Sequence, residues 1–334
     1  FVDLISSNKN HKINHSRTIG ISKSNFNYFN RNITNIAKIS WKLKKIEIFT
    51  DKNKNEKILN FENSDEQLFS IIKNYQLFEV LNKNLFKNKY FKKIKSQKKS
   101  IKPEKYNLVV NTEYNNIFTK KYFSKKIEKV YNSSAYTTVI NHETISNQIA
   151  VQIFTKIGPL AFLPLSKNKT SIVYSIYNSK HVDRKKIIHL INQHNIKYKI
   201  TKIEKIENFE LKSFNLRSYY HNNILAFGDL LHRIHPLAGQ GFNMTIRDIN
   251  VFINIIKNKI DLGLHIDRSV NYEFEKNSKH KNYIFSNSID LVQEFFNFER
   301  KFNNNILSKS VKILGKNNFI NKLFIKVADK GINF

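Results

Sequence analysis

The chain of 334 residues contains no cysteine, which excludes disulfide bonds, thiolate nucleophiles and cysteine-ligated metal sites. Glycine and proline are scarce, with eight and four residues, and the only methionine is Met244. No apolar run approaches the roughly 18 residues of a membrane-spanning helix, and the first residues show no signal-peptide pattern. Because Met244 is the only methionine, we expect Phe1 to follow a segment that this sequence does not include.

Acidic residues are few: 26 Asp and Glu stand against 57 Lys and Arg, which gives a formal net charge of +31. Such an excess raises the question of a nucleic acid or an anionic membrane as partner. The lysines, however, occur with abundant Asn, Ile, Phe and Tyr along the whole chain, which indicates compositional drift on solvated surfaces. The densest run, residues 92–102, is predicted to be an exposed hairpin or loop, and we predict no nucleic-acid partner.

The hydrophobic pattern predicts a fold in which strands and helices alternate, of the α/β or α+β class. Residues 2–5 are predicted to form a short buried strand, residues 41–61 a β-hairpin, and residues 65–88 a helix. Residues 106–110 indicate a further strand, and residues 136–177 an antiparallel sheet.

Residues 224–249 are the most informative part of the sequence. A buried strand ends at Gly228 and Asp229, which places one carboxylate where α/β folds bind ligands. Gly239 and Gly241 lack Cβ atoms, so a ligand can approach the backbone there. The helix that follows directs its first N–H groups and its positive dipole end to the same place. Its predicted buried face comprises Ile249, Phe252, Ile253, Ile256 and Ile260.

This segment closely resembles the second flavin motif of the p-hydroxybenzoate-hydroxylase-like monooxygenases, in particular of the ubiquinone-biosynthesis hydroxylases. In the latter, the motif runs G-D-x-x-H-x-x-x-P-x-x-G-Q-G-x-N-x-x-x-x-D. The chain has every fixed position, namely Gly228, Asp229, His232, Pro236, Gly239, Gln240, Gly241, Asn243 and Asp248.

The resemblance implies that Asp229 binds the ribityl hydroxyls of FAD and that Pro236 lies against the isoalloxazine near its reactive edge. The backbone of Gly239, Gln240, Gly241, Phe242 and Asn243 is expected to hold the pyrimidine side of the ring. His232 and Asp248 are expected to support the loop and the helix. No side chain is assigned as a catalytic base, and no metal site is expected.

Three further segments resemble the same family. Arg17, in RTIGIS, matches the R-x-x-A-L-S segment, whose arginine lies along the cofactor, and Asn74, in KNYQL, matches the E-N-x-x-L segment at the start of a helix. Residues 142–165 resemble the sheet that covers the flavin and forms the substrate pocket. The pocket candidates are Phe162, Pro164 and Leu165, and for each of them the alternative is an ordinary position in the core of the sheet.

For the fold, the resemblance implies an α/β FAD-binding domain of the glutathione-reductase and p-hydroxybenzoate-hydroxylase type, with an inserted antiparallel-sheet substrate domain and C-terminal helices. We predict a discontinuous FAD-binding domain at residues 1–37, 65–133 and 218–262. The predicted substrate domain comprises residues 38–64 and 134–217, and residues 263–334 form the predicted C-terminal helical segment.

The chain departs from the family pattern in two places. The family opens with a strand–G-x-G-x-x-G–helix unit that seats the FAD pyrophosphate, but the only G-x-G here is at Gly239 and Gly241. We therefore expect this first βαβ unit, of about 30 residues, to be absent from the chain. An A-D-G-x-x-S-type turn should follow residues 106–110, where the sequence instead reads NTEYNN, Asn111 to Asn116.

The resemblance implies an FAD-dependent monooxygenase of ubiquinone biosynthesis. FAD reduced by NAD(P)H reacts with O2, and one oxygen atom is transferred to the aromatic ring of a polyprenylated phenol. Because the prenyl tail partitions into a bilayer, we expect a cytoplasmic protein peripheral on the inner face of a membrane. The apolar positions and lysines of residues 307–327 fit such docking, although a helix packed on the protein's own core explains them equally well.

The alternative is a non-catalytic homologue that joins a ubiquinone-biosynthesis protein complex as a scaffold without binding FAD. The changed turn at Asn111 to Asn116 favours it, and the complete motif around Asp229 opposes it.

Overall fold

The computed structural model describes residues 1–6, 15–51, 57–62, 67–95, 101–177, 182–235, 239–301 and 317–331. The strands, numbered along the chain, are β1 Val2–Ser6, β2 Thr18–Ser22, β3 Ser40–Leu43, β4 Lys45–Thr50, β5 Lys57–Glu62, β6 Phe69–Lys73, β7 Phe91–Lys95, β8 Val109–Asn111, β9 Lys126–His142, β10 Ile149–Thr155, β11 Gly158–Ser166, β12 Lys169–Tyr177, β13 Ile200–Ile203, β14 Glu207–Leu216, β15 Tyr220–His221, β16 Ile224–Ala226 and β17 His232–Arg233. The helices are α1 Lys23–Asn32, α2 Asn74–Leu85, α3 Ile117–Tyr122, α4 Arg184–His194, α5 Gln240–Asp261, α6 Arg268–Lys301 and α7 Asn318–Lys330.

The largest sheet has the strand order β17–β14–β9–β12–β11–β10–β4–β5, and β13 pairs with β9. Neighbouring strands are antiparallel except β4 and β10, which run parallel. The hairpin predicted at residues 41–61 is confirmed for β4 and β5, but residues 41–43 belong to β3 of another sheet. The predicted antiparallel sheet is confirmed by β9 to β12. Helix α4 covers one face of this sheet, where Ile187 and Ile191 join a core with Phe162, Ile172 and Tyr174.

A smaller antiparallel sheet has the order β2–β6–β3. The prediction of a helix from residue 65 is wrong for residues 69–73, because these residues form the central strand of this sheet. Phe69, Ile71 and Ile72 are buried there, on both faces of the strand. The helix, α2, begins only at Asn74.

Two further sheets contain parallel pairs, β1 with β7 and β16 with β8. The strand predicted at residues 2–5 is confirmed by β1, but its predicted burial is wrong, since Val2 and Leu4 are exposed. The lysine-rich run begins inside β7 instead of forming a loop throughout, because residues 91–95 pair with β1. Among the described residues, β8 pairs only with β16, so its second edge has no strand partner.

The long helices α5 and α6 pack against each other and against the small sheets. On α5 the buried positions include Met244, Ile246 and Ile255, whereas Ile253 and Ile260 are exposed, so the predicted buried face is wrong at those two positions. None of the described helices is long and apolar enough to cross a membrane. Residues 302–316, which include much of the predicted docking stretch, lie outside the described residues.

The C-terminal helix α7 closes onto the beginning of α1. The side chain of Ser22, the residue before α1, makes no capping hydrogen bond to that helix. Instead, the Asp329 carboxylate accepts hydrogen bonds from the Ser24 backbone N–H, at 2.7 Å, and from the Ser24 hydroxyl. The Ser22 hydroxyl donates to the Asp329 carbonyl oxygen at 2.9 Å. A carboxylate from the end of the chain thus satisfies the N-terminus of α1, where negative charge is favourable.

Candidate cofactor site

Strand β16 delivers Asp229 to the protein surface. Its residues are buried between β8 and β15, and the chain then turns through a single 3₁₀ turn at Gly228–Leu230. Gly228 has φ of +64°, a left-handed conformation that favours glycine. Gly228 and Leu230 are buried while Asp229 is exposed. The carboxylate makes no hydrogen bond with the described residues, so it is available to a ligand.

Tyr114 holds the backbone at this turn. Its hydroxyl donates to the Asp229 carbonyl oxygen, and its ring meets Phe214 edge-on at 5.8 Å. Burial, followed by the negative charge of Asp229, raises the pKa of Tyr114 to about 12. The phenol therefore stays protonated and can keep donating at neutral pH. The sequence gives no signal for this contact, because Tyr114 belongs to the turn that departs from the family pattern.

Asn243, near the start of α5, connects three separate segments of the chain. Its Oδ1 accepts hydrogen bonds from the Ser22 N–H and the Asn25 side-chain amide, both at 2.9 Å. Its Nδ2 donates to the carbonyl oxygens of Gly20 at 3.0 Å and of Gly239 at 3.1 Å. The side chain is fully buried, so its amide fixes the first turn of α5 against β2 and α1.

The turn before α5 brings backbone close to β2. Gly239 precedes the helix with φ of +63°, and a Cβ atom there would lie 3.5 Å from the Gly20 backbone. Gln240 is buried, and its Oε1 has no hydrogen-bond partner among the described residues. Gly241 faces Ile234, and Phe242 packs near Phe29 with ring centroids 6.5 Å apart. Pro236 lies outside the described residues.

His232 and Asp248 form a buried pair behind the turn. The His232 Nε2 and Asp248 Oδ2 atoms are 2.5 Å apart, and the Asn282 side-chain amide donates to Asp248 Oδ1 at 2.9 Å. Since all three side chains are buried, these polar atoms satisfy one another inside the protein. The geometry joins β17, α5 and α6 and leaves neither motif residue free for chemistry.

Arg17 and Asn74 lie together at one end of the small sheet. The Asn74 N–H donates to the Arg17 carbonyl oxygen at 3.0 Å, next to the paired residues Thr18 and Lys73. Arg17 is exposed, and Asn74 is the first residue of α2.

The predicted substrate residues do not face one common surface. Phe162 is buried and stacks with Tyr198 at 5.8 Å on the side covered by α4. Pro164 is also buried, whereas Leu165 is partly exposed and packs in a cluster with Trp41. Successive residues of a strand point to opposite faces, so Leu165 and Phe162 lie on opposite sides of β11.

The turn at Asn111 to Asn116 has its own hydrogen bonds. The side chains of Asn111 and Asn116 bond each other, and the Asn111 amide donates to Thr119 Oγ1 at 2.8 Å. Asn116 caps α3 by accepting from the Thr119 N–H at 2.8 Å. Two asparagines thus stabilise this turn without the aspartate and glycine that the resemblance leads one to expect.

The chain is similar to known flavoproteins in sequence and in fold. A family model described as an FAD binding domain matches residues 130–258, which include Asp229 and the first turns of α5. The fold of the chain agrees with the solved structure of p-nitrophenol 4-monooxygenase PnpA from Pseudomonas putida DLL-E4, with a TM-score of 0.74, 10% identity, and coverage of 99% of this chain and 92% of that chain. Klebsiella pneumoniae HpxO, solved with FAD and uric acid, gives a TM-score of 0.72 at 8% identity, covering 98% of this chain and 90% of that chain. These similarities confirm the predicted fold class.

Curated relatives of the chain confirm the resemblance to the ubiquinone-biosynthesis hydroxylases. The chain is 26% identical over 217 residues to the mitochondrial ubiquinone biosynthesis monooxygenase COQ6 of Caenorhabditis elegans, covering 50% of this chain and 47% of the relative. It is 29% identical over 166 residues to the 3-demethoxyubiquinol 3-hydroxylase of Escherichia coli (strain K12), covering 46% of this chain and 40% of the relative. The chain spans about half the length of the curated relatives it matches.

Residues within the matched segment 130–258 fit the flavin half of FAD. Asp229 offers an acceptor for hydroxyl groups, and the buried Gln240 Oε1 lacks a donor among the described residues. The described residues include no group of three or more His, Asp or Glu side chains that could hold a metal ion.

Proposed function

We propose that this chain forms the flavin and substrate side of an FAD-dependent monooxygenase that hydroxylates the aromatic ring of a polyprenylated phenol in ubiquinone biosynthesis. The observation that supports the proposal most directly is the exposed Asp229 carboxylate at the end of β16, in a 3₁₀ turn that packs against α5. The reaction and the pathway in this proposal are inferred from the curated relatives, a ubiquinone biosynthesis monooxygenase and a 3-demethoxyubiquinol 3-hydroxylase. NAD(P)H as electron donor and O2 as second substrate belong to the same proposal.

In this proposal each part of the site has a distinct task. Asp229 accepts hydrogen bonds from the ribityl hydroxyls, and the N–H groups of the first turn of α5 face the electron-rich edge of the ring. Asn243 keeps that turn in place, while Arg17, Asn74 and Pro236 border the cofactor. FAD, when bound and reduced by NAD(P)H, supplies the oxygen-transfer chemistry, and the protein orients the phenol and excludes water.

The proposal places the protein at a membrane surface, where the prenylated substrate is dissolved. Helix α7 supports this placement because Phe319, Leu323 and Phe324 are 76%, 49% and 45% exposed. Lys322 and Lys326 belong to the same helix and would favour anionic lipid by about 1 kcal/mol each. Val327 packs inward near Met244 and Phe285, so one side of α7 is held by the protein and another is open.

FAD binding tests the central role of Asp229. We expect Asp229→Ala to weaken FAD binding about 10- to 100-fold, because hydrogen bonds to a charged group contribute roughly 1.5–3 kcal/mol. The measurement is a titration of the purified chain with FAD, followed by flavin absorbance and fluorescence. Asp261→Ala, at the exposed end of α5, is the matched control and should bind FAD as the parent does. Equal affinities of the Asp229→Ala and parent proteins would contradict the proposed site.

A non-catalytic scaffold is the second candidate function. It is favoured by the turn at Asn111 to Asn116, where asparagine side chains bond one another, and by Tyr114, which engages the Asp229 backbone. The two functions differ in a simple observation on the purified chain. A scaffold shows no flavin absorbance band after incubation with excess FAD and removal of the free cofactor, whereas the monooxygenase retains one.

A further inference from the structure

A basic cavity of about 230 Å³ lies where β3, the end of β6 and the turn between β11 and β12 meet. Its lining includes Lys38, Lys73 and Lys169 together with Trp41 and Leu165. We call this cavity the lysine pocket. It is separate from Asp229, but Lys73 directly precedes Asn74, which is predicted to border the cofactor.

The three lysines of the pocket lack anionic partners among the described residues, where no carboxylate forms an ion pair with any of them. Nearby Lys45, in contrast, pairs with Glu62 at 3.1 Å and with Glu47 at 3.5 Å. Burial, and next the positive charge of Lys169, lower the pKa of Lys73, while Glu204 raises it by a weaker attraction. Like charges that converge in a concave, partly desolvated place repel one another, and a bound anion would offset that repulsion.

Two of the other hydrogen-bond donors of the pocket are already engaged. The Trp41 indole N–H donates to the Asn147 carbonyl oxygen at 2.6 Å, and the Ser40 hydroxyl donates to the Ala37 carbonyl oxygen at 3.0 Å. The lysine ammonium groups and the side-chain amide of Gln76 remain as donors for a ligand. Lysine ammonium groups bind phosphate well as point charges, and the indole and Leu165 provide an apolar wall next to them.

We propose that the lysine pocket binds the phosphate group of a small organic phosphate, with an apolar part of that ligand against Trp41 and Leu165. A liquid water occupies about 30 Å³, so 230 Å³ corresponds to about eight waters. That is room for a phosphate or diphosphate group, but it is below the roughly 300–1,000 Å³ of pockets that enclose a whole drug-sized ligand. The rest of the ligand therefore extends out of the pocket. The site shares Leu165 with the predicted substrate residues, but none of its lining residues is needed for the role of Asp229, so FAD binding and phosphate binding can fail independently.

The single tryptophan of the chain, Trp41, is a built-in reporter. The experiment titrates the full chain with inorganic pyrophosphate, adenosine diphosphate and adenosine, under excitation selective for tryptophan and at constant ionic strength. We expect saturable changes with both phosphates and none with adenosine. Lys73→Ala and Lys169→Ala should each weaken pyrophosphate binding about tenfold, because each removes one charged hydrogen bond.

Lys42→Ala is the matched control. Lys42 follows Trp41 in β3, is exposed, and points to the opposite face of the strand. The substitution therefore removes one positive charge, as Lys73→Ala does, without changing the lining of the pocket. Its affinity should change by less than about twofold, since an exposed, screened charge contributes little. The proposal is overturned if Lys42→Ala weakens binding as much as Lys73→Ala. If no phosphate changes the tryptophan signal, calorimetry of the full chain with pyrophosphate decides: heat of binding that Lys73→Ala weakens supports the pocket, and no heat of binding overturns the proposal.

Discussion

Replacing Asn243 with alanine removes the buried amide that joins α5 to β2 and α1. The change deletes four hydrogen bonds of 2.9 to 3.1 Å, to Ser22, Asn25, Gly20 and Gly239. The side chain is 0% exposed, so water cannot replace these bonds without entering the protein interior.

The expected loss of stability follows from these contacts. Four hydrogen bonds at about 1 kcal/mol each correspond to about 4 kcal/mol, and the better helix propensity of alanine returns up to about 0.7 kcal/mol. We therefore expect Asn243→Ala to lower the free energy of unfolding by about 3 kcal/mol, a large part of the roughly 5–15 kcal/mol typical of a domain. FAD affinity should fall as well, because the first turn of α5 is no longer held against β2.

Urea denaturation measures this loss as a shift of the midpoint at unchanged slope. The matched control is Asn250→Ala on the exposed side of α5, where the side chain bonds only Asn254, at 3.3 Å, within the described part of the chain. Its free energy of unfolding should stay within about 0.5 kcal/mol of the parent. If the Asn243→Ala and Asn250→Ala proteins unfold at the same urea concentration, Asn243 does not connect the segments as described.

Two other predictions concern pH and membranes. Burial, and next the charge of Lys129, lower the pKa of His235 to about 3, from the usual 6.5 of a histidine. Both ring nitrogens lack partners among the described residues. Because the histidine of the unfolded chain takes up a proton at higher pH than the buried one, the free energy of unfolding should fall as pH decreases from about 6.5 towards about 3. This pH dependence should be weaker in His235→Leu and unchanged in His265→Leu, where the histidine is exposed. Superimposable pH profiles of the two variants would refute the assignment. On α7, the double variant Leu323→Glu, Phe324→Glu should reduce cosedimentation with phosphatidylglycerol vesicles at least about tenfold. Leu291→Glu, also at an exposed apolar position, should leave cosedimentation unchanged. A double variant that cosediments as the parent does argues against docking through α7.

The strand, turn and helix around Asp229 could be predicted because their signals are local. The apolar run of β16, the glycine after it and the periodicity of α5 all lie within residues 224–261. The exposed position of Asp229 follows from the same pattern, since the strand must end before the turn. The buried side of α5 was harder to predict than its limits. Isoleucine is frequent in this chain, and two isoleucines of the predicted buried face, Ile253 and Ile260, are exposed.

Contacts between distant parts of the sequence were beyond prediction. Asn243 bonds residues 218 to 223 positions earlier, and Tyr114 reaches Asp229 across 115 positions. Such pairs depend on how sheets and helices come together, which no local pattern encodes. The same reason explains β6, since its helix-like spacing of apolar residues is overridden by pairing with β2 and β3 on both sides. The domain limits and the substrate residues remain predictions.

The cap that Asp329 places on α1 has a consequence for how the protein is made. Ser24 and Asp329 are 305 positions apart, so the ribosome releases the start of the first helix long before the carboxylate that completes it. Contacts of such long range form late and slow folding. Until α7 has been synthesised and packs against α1, the N–H and hydroxyl groups of Ser24 lack their carboxylate partner.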